Sequence, residues 1–230
     1  AQNTELMICQ GADPETTPWG FGGGFMPSLL CYWYRELGIK QVYICPDVNY
    51  GAAVHAHKWI PVLPNTDAAL QLAIAYTWIV EDTYDKEYVK THVVGFDKFK
   101  DYVTGQEDGI PKTPEWASSK CGVPEWTIKA LARQWAAKRT VVAHGLGGPY
   151  IRGAFSTEPA RLEVCLLGMQ GLGKPGVHQL CFIEQTFLAS VAYNKFVAQP
   201  TPGGVIRPLV NEAYQGYSPF MPMQDQIIPK

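Results

Sequence analysis

The chain has 230 residues, 47% of them hydrophobic and 17% charged, with a formal net charge of -2. That length and composition bury a substantial core as a globular unit and leave no basic surface for nucleic acid or another polyanion. No stretch reaches the roughly 18 apolar residues of a membrane span. The six cysteines, Cys9, Cys31, Cys45, Cys121, Cys165 and Cys181, form no CxxC or Cys/His group of metal-ligand spacing. They read as small core residues of a reducing compartment.

In chain order, "LMICQ" (6–10) is a short apolar run ending at Gly11. "PSLLCYWYRELG" (27–38) has helical spacing with Gly38 as its stop, and "QVYICP" (41–46) is a β-branched and aromatic run halted by Pro46. This is a β-α-β unit, whose right-handed crossover makes the two strands parallel. "KWIPVLP" (58–64) reads as extended, and "NTDAALQLAIAYTWIVED" (65–82) as a helix with Asn65 and Thr66 as capping candidates and Asp67 in its first turn. Its apolar residues cover most of its circumference, which predicts burial on more than one side. "EWASSKCGVPEWTIKALARQWAAK" (115–138) predicts a short helix, a Gly-Val-Pro break and a longer amphipathic helix. "TVVAHG" (140–145) is the next strand, followed by a helix from about Thr157 to Gly171. Beyond "GKPGVHQ" Pro and Gly recur every few residues and the chain is read as irregular. The opening "AQNTELMICQ" has neither an initiator methionine nor a signal-peptide pattern, and the sequence is read as a piece of a longer chain.

Alternating strands and helices predict an open parallel sheet, in which ligands sit beyond the carboxyl ends of the strands. Three strand ends carry suitable chemistry. In "QGADPETTPWG" (10–20), Gly11 allows close approach while Asp13 and Thr16 offer polar contacts. In "CPDVNYG" (45–51), Asp47 stands where an acid would grip a ribose diol or a guanine edge. The third is "VVAHGLGGPYIRG" (141–153), with His144, Gly145, Gly147, Gly148, Tyr150 and Arg152. A nucleotide is the natural occupant. Each feature also has a plainer reading: Gly-X-Asp-Pro as a simple turn, Asp67 as a helix-start acid, His144 as a buried imidazole. The absence of GxGxxG after the first strand argues against an ordinary NAD site. A non-catalytic nucleotide-binding α/β module satisfies these residues as well.

The order of the segments adds more. "LMICQGADPETTPWG", "GIKQVYICPDVNYGAAVHAHKWIPVLPNTDAAL", "TYDKEYVKTHVVGFDKFKDYVTGQEDGIPKTPEWASSKCGVPEWTIKALARQWA" and "LLGMQGLGKPG" occur in the order of the dimethyl sulfoxide reductase family of molybdenum and tungsten enzymes. Over about residues 4–180 the sequence resembles that family's large-subunit domain that holds a molybdopterin guanine dinucleotide.

The resemblance implies an α/β fold, a three-layer Rossmann-like, mostly parallel sheet with helices on both faces. It implies a cofactor-binding domain over residues 1–180 and an irregular extension of it over 181–230. The cofactor implied is molybdopterin guanine dinucleotide in its bis form, with molybdenum rather than tungsten. Gly11, Ala12, Asp13, Pro14 and Thr16, together with Cys45, Pro46 and Asp47, would cradle guanosine and its phosphates. Pro64, Asn65, Thr66 and Asp67 match a Pro-Gly-Thr-Asp type turn, with Asn65 replacing glycine at a position that asparagine tolerates. His144, Gly145, Gly147 and Gly148 would let backbone pass close to the pterin.

Oxide reductases of the family carry a polar run rich in glutamine and arginine where this chain has "GLGGPYIRG". Tyr150 would project to where substrate meets metal, as a phenol able to donate or accept a proton, with Arg152 as a substrate contact. Within the family this favours transfer of a hydroxyl between polyphenols, with oxide or oxyanion reduction as the alternative. The metal ligand is expected outside the segment, as is any iron-sulfur cluster. The partners implied are the rest of a large subunit, an iron-sulfur small subunit and a small-molecule substrate, polyphenol or oxide. No nucleic acid and no membrane span are expected. The compartment implied is the cytoplasm, with the periplasm as the family's alternative.

Overall fold

The computed structural model describes residues 2–16, 26–144, 148–150 and 153–181. Five strands form one sheet: β1 (Leu6–Gln10), β2 (Lys40–Ile44), β3 (Lys58–Ile60), β4 (Thr140–His144) and β5 (His178–Cys181). Their spatial order is β3-β2-β1-β4-β5 and every pairing is parallel. The chain moves outward from β1 through β2 to β3, then returns across the sheet and moves outward the other way through β4 to β5. The reversal falls between β1 and β4.

Strands buried on both faces read as continuous apolar runs. β1 shows why: Leu6 and Ile8 enter the larger core, Met7 and Cys9 the smaller one on the opposite face. The smaller core lies under α1 (Met26–Glu36) and α2 (Tyr50–His55). The larger lies under α3 (Asp67–Val80) and its neighbours α5 (Phe96–Thr104), α6 (Pro114–Cys121), α7 (Glu125–Ala136) and α8 (Thr157–Gln170). Helices on both faces of a parallel sheet make the three-layer α/β fold expected from the sequence. α3 is wrapped by the other helices of its layer, which accounts for its apolar circumference. Its Trp78 donates from Nε1 to the carbonyl of Ala132 (2.7 Å) and meets Trp135 edge to face at 5.3 Å.

The sequence reading differs from the structure at short elements. α2 and α4 (Lys86–His92) are six and seven residues long and offer too few turns for a legible period, whereas the nine-residue α5 is amphipathic and is not among the elements expected from the sequence. β5 lies where irregular chain is expected: His178 and Gln179 interrupt the apolar pattern, yet the segment pairs in register with Val141 to His144. The extension over 182–230 falls outside the described residues. Among the described residues no helix is long and apolar enough to cross a membrane.

Candidate functional site

The carboxyl ends of β1, β2 and β4 and the start of α3 enclose a cavity of about 220 Å³. It lies at the reversal of strand order, where open α/β sheets bind ligands. Gly11 and Ile44 line it from the strand ends, Pro46, Pro64, Asn65 and Asp67 from the β2 and β3 sides, and Gly148, Pro149 and Gly153 from the β4 side. All three loops singled out in the sequence therefore meet in one crevice.

Gly11, at φ +60°, bonds its N–H to the carbonyl of Ile44 (2.9 Å). A methyl built on it would stand 2.5 Å from Pro149 Cδ and 3.1 Å from Gly148 Cα. The close approach that requires these two glycines is thus of one loop to the other, and it forms the crevice floor. The polar residues that follow are engaged inside their own loop. Asp13 Oδ1 accepts from the N–H groups of Glu15 (3.1 Å), Thr16 (3.3 Å) and Gly51 (3.0 Å), and its second oxygen accepts from the Thr16 hydroxyl. It fastens the first loop to the start of α2. Asn49 reinforces that clasp, capping α2 through Ala52 N (2.8 Å) and donating to the carbonyl of Ala12 (3.2 Å). Glu15 adds a third tie, 2.5 Å from His55 Nε2 and accepting from Ser28 Oγ at 2.6 Å. Asp47 is exposed, and its carbonyl accepts from Asn49 N (3.0 Å) and the Cys45 thiol (3.2 Å).

On the third side Asn65 takes φ +63°, the left-handed conformation anticipated for the residue in the glycine position. Asp67 opens α3 as a buried carboxylate that accepts from Gln10 Nε2 (3.1 Å). Burial pushes its pKa upward, opposed by the hydrogen bond from Gln10. Gln10 in turn accepts from Gln71 Nε2 (3.3 Å), which also donates to the carbonyl of Pro159 (3.1 Å). Asp67 thus starts α3 and also lines the crevice.

Tyr150 ends a short 3-10 turn, Gly148–Tyr150, after β4. Its ring tilts against His144 with centroids 5.0 Å apart. The hydroxyl is buried beneath the crevice, facing Glu163 and Gln71 without meeting hydrogen-bond geometry to either. Burial and the neighbouring Glu163 carboxyl hold the phenol well above its usual pKa. Glu163, on α8, is wholly buried, and burial raises its pKa as well. His144 Nε2 is 3.9 Å from its Oε1. Gly145, Gly147 and Arg152 lie outside the described residues. Among the described residues no group of three or more His, Cys, Asp or Glu is placed to hold a metal ion. Cys9, Cys31, Cys45 and Cys121 are buried and Cys165 is half-buried, and these five are free thiols.

Sequence reasoning missed Gln10, Gln71 and Glu163. Gln10 is the one polar residue of an otherwise apolar strand, and Glu163 stands four residues after Pro159 and three before Leu166 on the buried stripe of α8. A polar residue on an apolar stripe is the signal available for both.

No protein-family model matches the chain. The large subunit of pyrogallol hydroxytransferase from Pelobacter acidigallici is 46% identical over 178 residues, covering 76% of this chain and 20% of that one. The dimethyl sulfoxide/trimethylamine N-oxide reductase of Rhodobacter capsulatus is 40% identical over 149 residues, covering 63% of this chain and 18% of that one. Among solved structures, acetylene hydratase from Pelobacter acetylenicus superposes with a TM-score of 0.56 at 21% identity, over 73% of this chain and 21% of that chain, a likeness of fold. The chain spans about a fifth of the length of these curated relatives. With the matching segments in the same order and the parallel sheet they build, the chain belongs to the dimethyl sulfoxide reductase family of molybdopterin enzymes.

Proposed function

We propose that this chain is the domain that holds one molybdopterin guanine dinucleotide in the large subunit of a molybdenum enzyme transferring a hydroxyl between polyphenols. Residues 1–180 are the binding unit and 181–230 its extension. The observation that carries the reading is the 46% identity to a pyrogallol hydroxytransferase large subunit. A cytoplasmic location, an iron-sulfur small subunit and the bis form of the cofactor belong to the same proposal.

The residues present fit the nucleotide end of such a group. The crevice of about 220 Å³ suits a base or a phosphate rather than the whole dinucleotide. Asp67, lining it as a partly desolvated acceptor, suits the N–H edge of a guanine. Asp47, exposed at the rim, suits a ribose diol. Gly11, Pro46, Pro64, Asn65 and Gly148 shape the walls. Ala12, Asp13, Pro14, Thr16, Cys45 and Thr66 act on the nucleotide through the loops they brace, and His144, Gly145 and Gly147 are the residues assigned to the pterin by the resemblance. When bound, the cofactor supplies the metal centre at which oxygen is exchanged. Tyr150 contributes a phenol that burial keeps protonated, hence a donor rather than a base near neutral pH. Arg152 contributes a cation for an oxyanionic substrate group.

Reduction of S-oxides or N-oxides is the second reading, favoured by the 40% identity to such a reductase. Acid hydrolysis of the intact protein should release GMP; AMP alone, or no nucleotide, overturns the cofactor assignment. Conversion of pyrogallol to phloroglucinol, set against reduction of dimethyl sulfoxide or trimethylamine N-oxide, separates the two activities.

A further inference from the structure

We propose that Glu163 is the positioning residue of the site's phenol, carrying a proton that it shares with Tyr150 on one side and His144 on the other. The inference rests on the reading of Tyr150 as the proton-holding phenol of the active site.

The geometry is a convergence of buried polar atoms from separate elements. Glu163 has no exposed surface, and neither of its carboxyl oxygens has a hydrogen-bond partner among the described residues. The Tyr150 hydroxyl and Gln71 Oε1, both buried, share that condition. The phenol reaches the cluster from the turn after β4, Glu163 from α8, Gln71 from α3 and His144 from the end of β4. Gln179 of β5 also faces the carboxyl, and Asp67 of α3 lies within electrostatic reach of the phenol. No lysine or arginine pairs with Glu163 among the described residues. Its one cationic candidate is His144, 3.9 Å away, beyond a charge-assisted hydrogen bond.

A charged carboxylate in such a place lacks solvation and a cation within hydrogen-bond reach, with only the neutral donors Tyr150 and Gln179 facing it, a cost that protonation removes. A neutral carboxylic acid brings one O–H donor while keeping acceptor capacity. It can accept from the phenol through one oxygen and donate through the other to the imidazole of His144. Tyr150 and His144 both already face the carboxyl, His144 Nε2 at 3.9 Å from Oε1. His144, at the strand end with 18% of its side chain exposed, is the member nearest solvent. A proton taken from or given to Tyr150 would then pass by way of Glu163 to His144, with no net charge left in the interior.

The test uses the intact, cofactor-loaded protein and two readouts. In infrared difference spectra at neutral pH, Glu163→Gln should remove one carbonyl-stretch band of a protonated carboxylic acid, and Tyr150→Phe should shift that same band. A band that Glu163→Gln leaves in place, or one that Tyr150→Phe does not move, overturns the proposal. Turnover supplies the second readout. Glu163→Gln keeps the shape and some hydrogen bonding but cannot pass a proton, so turnover should fall by roughly tenfold or more. It should also alter the pH profile, and it should cost nothing further in a Tyr150→Phe background. If Tyr150→Phe lowers turnover while Glu163→Gln does not, the proton path is overturned although the phenol's role stands. If Tyr150→Phe itself turns over normally, the catalytic reading of Tyr150 fails, and the infrared shift alone decides whether the two residues share a proton.

Discussion

Replacing Gly11 with alanine tests the loop contact that forms the crevice floor. Two costs add at this position. The residue sits at φ +60°, where a side chain costs about 1–2 kcal/mol. The new methyl would also lie 2.5 Å from Pro149 Cδ and 3.1 Å from the backbone of Gly148, a rigid proline ring and a main chain that cannot rotate away. Such overpacking costs a further ~1–3 kcal/mol. Gly38→Ala is the matched control: its φ is +80° and nothing lies within 4 Å of the added methyl, so only the backbone cost applies. Hydrogen exchange of the slowest amides of β1 and β4 in the intact protein reads the free energy of opening for both variants. Gly11→Ala should lose about 1–3 kcal/mol more than Gly38→Ala, equivalent to roughly 5- to 150-fold faster exchange. Equal losses would mean that the two loops do not touch, and the crevice floor described above would be wrong. Bound nucleotide should fall in the Gly11 variant and stay full in the Gly38 variant.

Two further outcomes are expected. Asp47→Ala and Asp67→Ala should each lower nucleotide content, measured as GMP released per protein, more than they lower turnover of the occupied fraction; full occupancy in both would refute the assignment. Glu163→Gln should change the pH dependence of stability in a direction fixed by its raised pKa. The folded protein holds this proton more tightly than the unfolded chain does. The contribution is therefore complete below the ordinary value of 4.5 and is lost as pH rises from there through the folded value. Relative to the native protein, the Gln variant should gain stability across that window and above it; denaturant titrations at several pH values check the sign.

What the sequence revealed follows from where each signal resides. β1, β2 and β4 were legible because a strand buried on both faces must be apolar throughout, and α3 because it is enclosed by its own layer. Asn65 was legible as a stand-in for glycine, and its left-handed backbone follows. α2 and α4 were not, since helices this short hardly express a period. The strand ends named loops that do meet around one crevice, but not the contacts each residue makes within them. Asp13 looked like a ligand contact and proves to hold its own loop, because nothing in "GADPET" discloses that Gly51 N lies within reach. Likewise the link from Asp67 through Gln10 to Gln71 joins residues 57 and 61 positions apart, and no local pattern encodes it.

That polar link gives the two halves of the site a common foundation. At the crevice end its members are paired: Asp67 with Gln10, and Gln10 with Gln71. At the other end four buried atoms, Gln71 Oε1, the Tyr150 hydroxyl and both oxygens of Glu163, have no hydrogen-bond partner among the described residues. An unpaired buried polar group costs about 1–3 kcal/mol, so four would approach the whole stability of a typical domain, about 5–15 kcal/mol. A cost of that size, gathered at one point beside the phenol, is smaller if Glu163 is protonated: no unsolvated charge remains, one oxygen still accepts from Tyr150 and the acid proton can turn to His144. The same proton that makes the cluster tolerable to fold is the one a reaction at Tyr150 would draw on. Stability and proton transfer therefore depend on the same group, and a variant that abolishes the second should relieve part of the burden on the first.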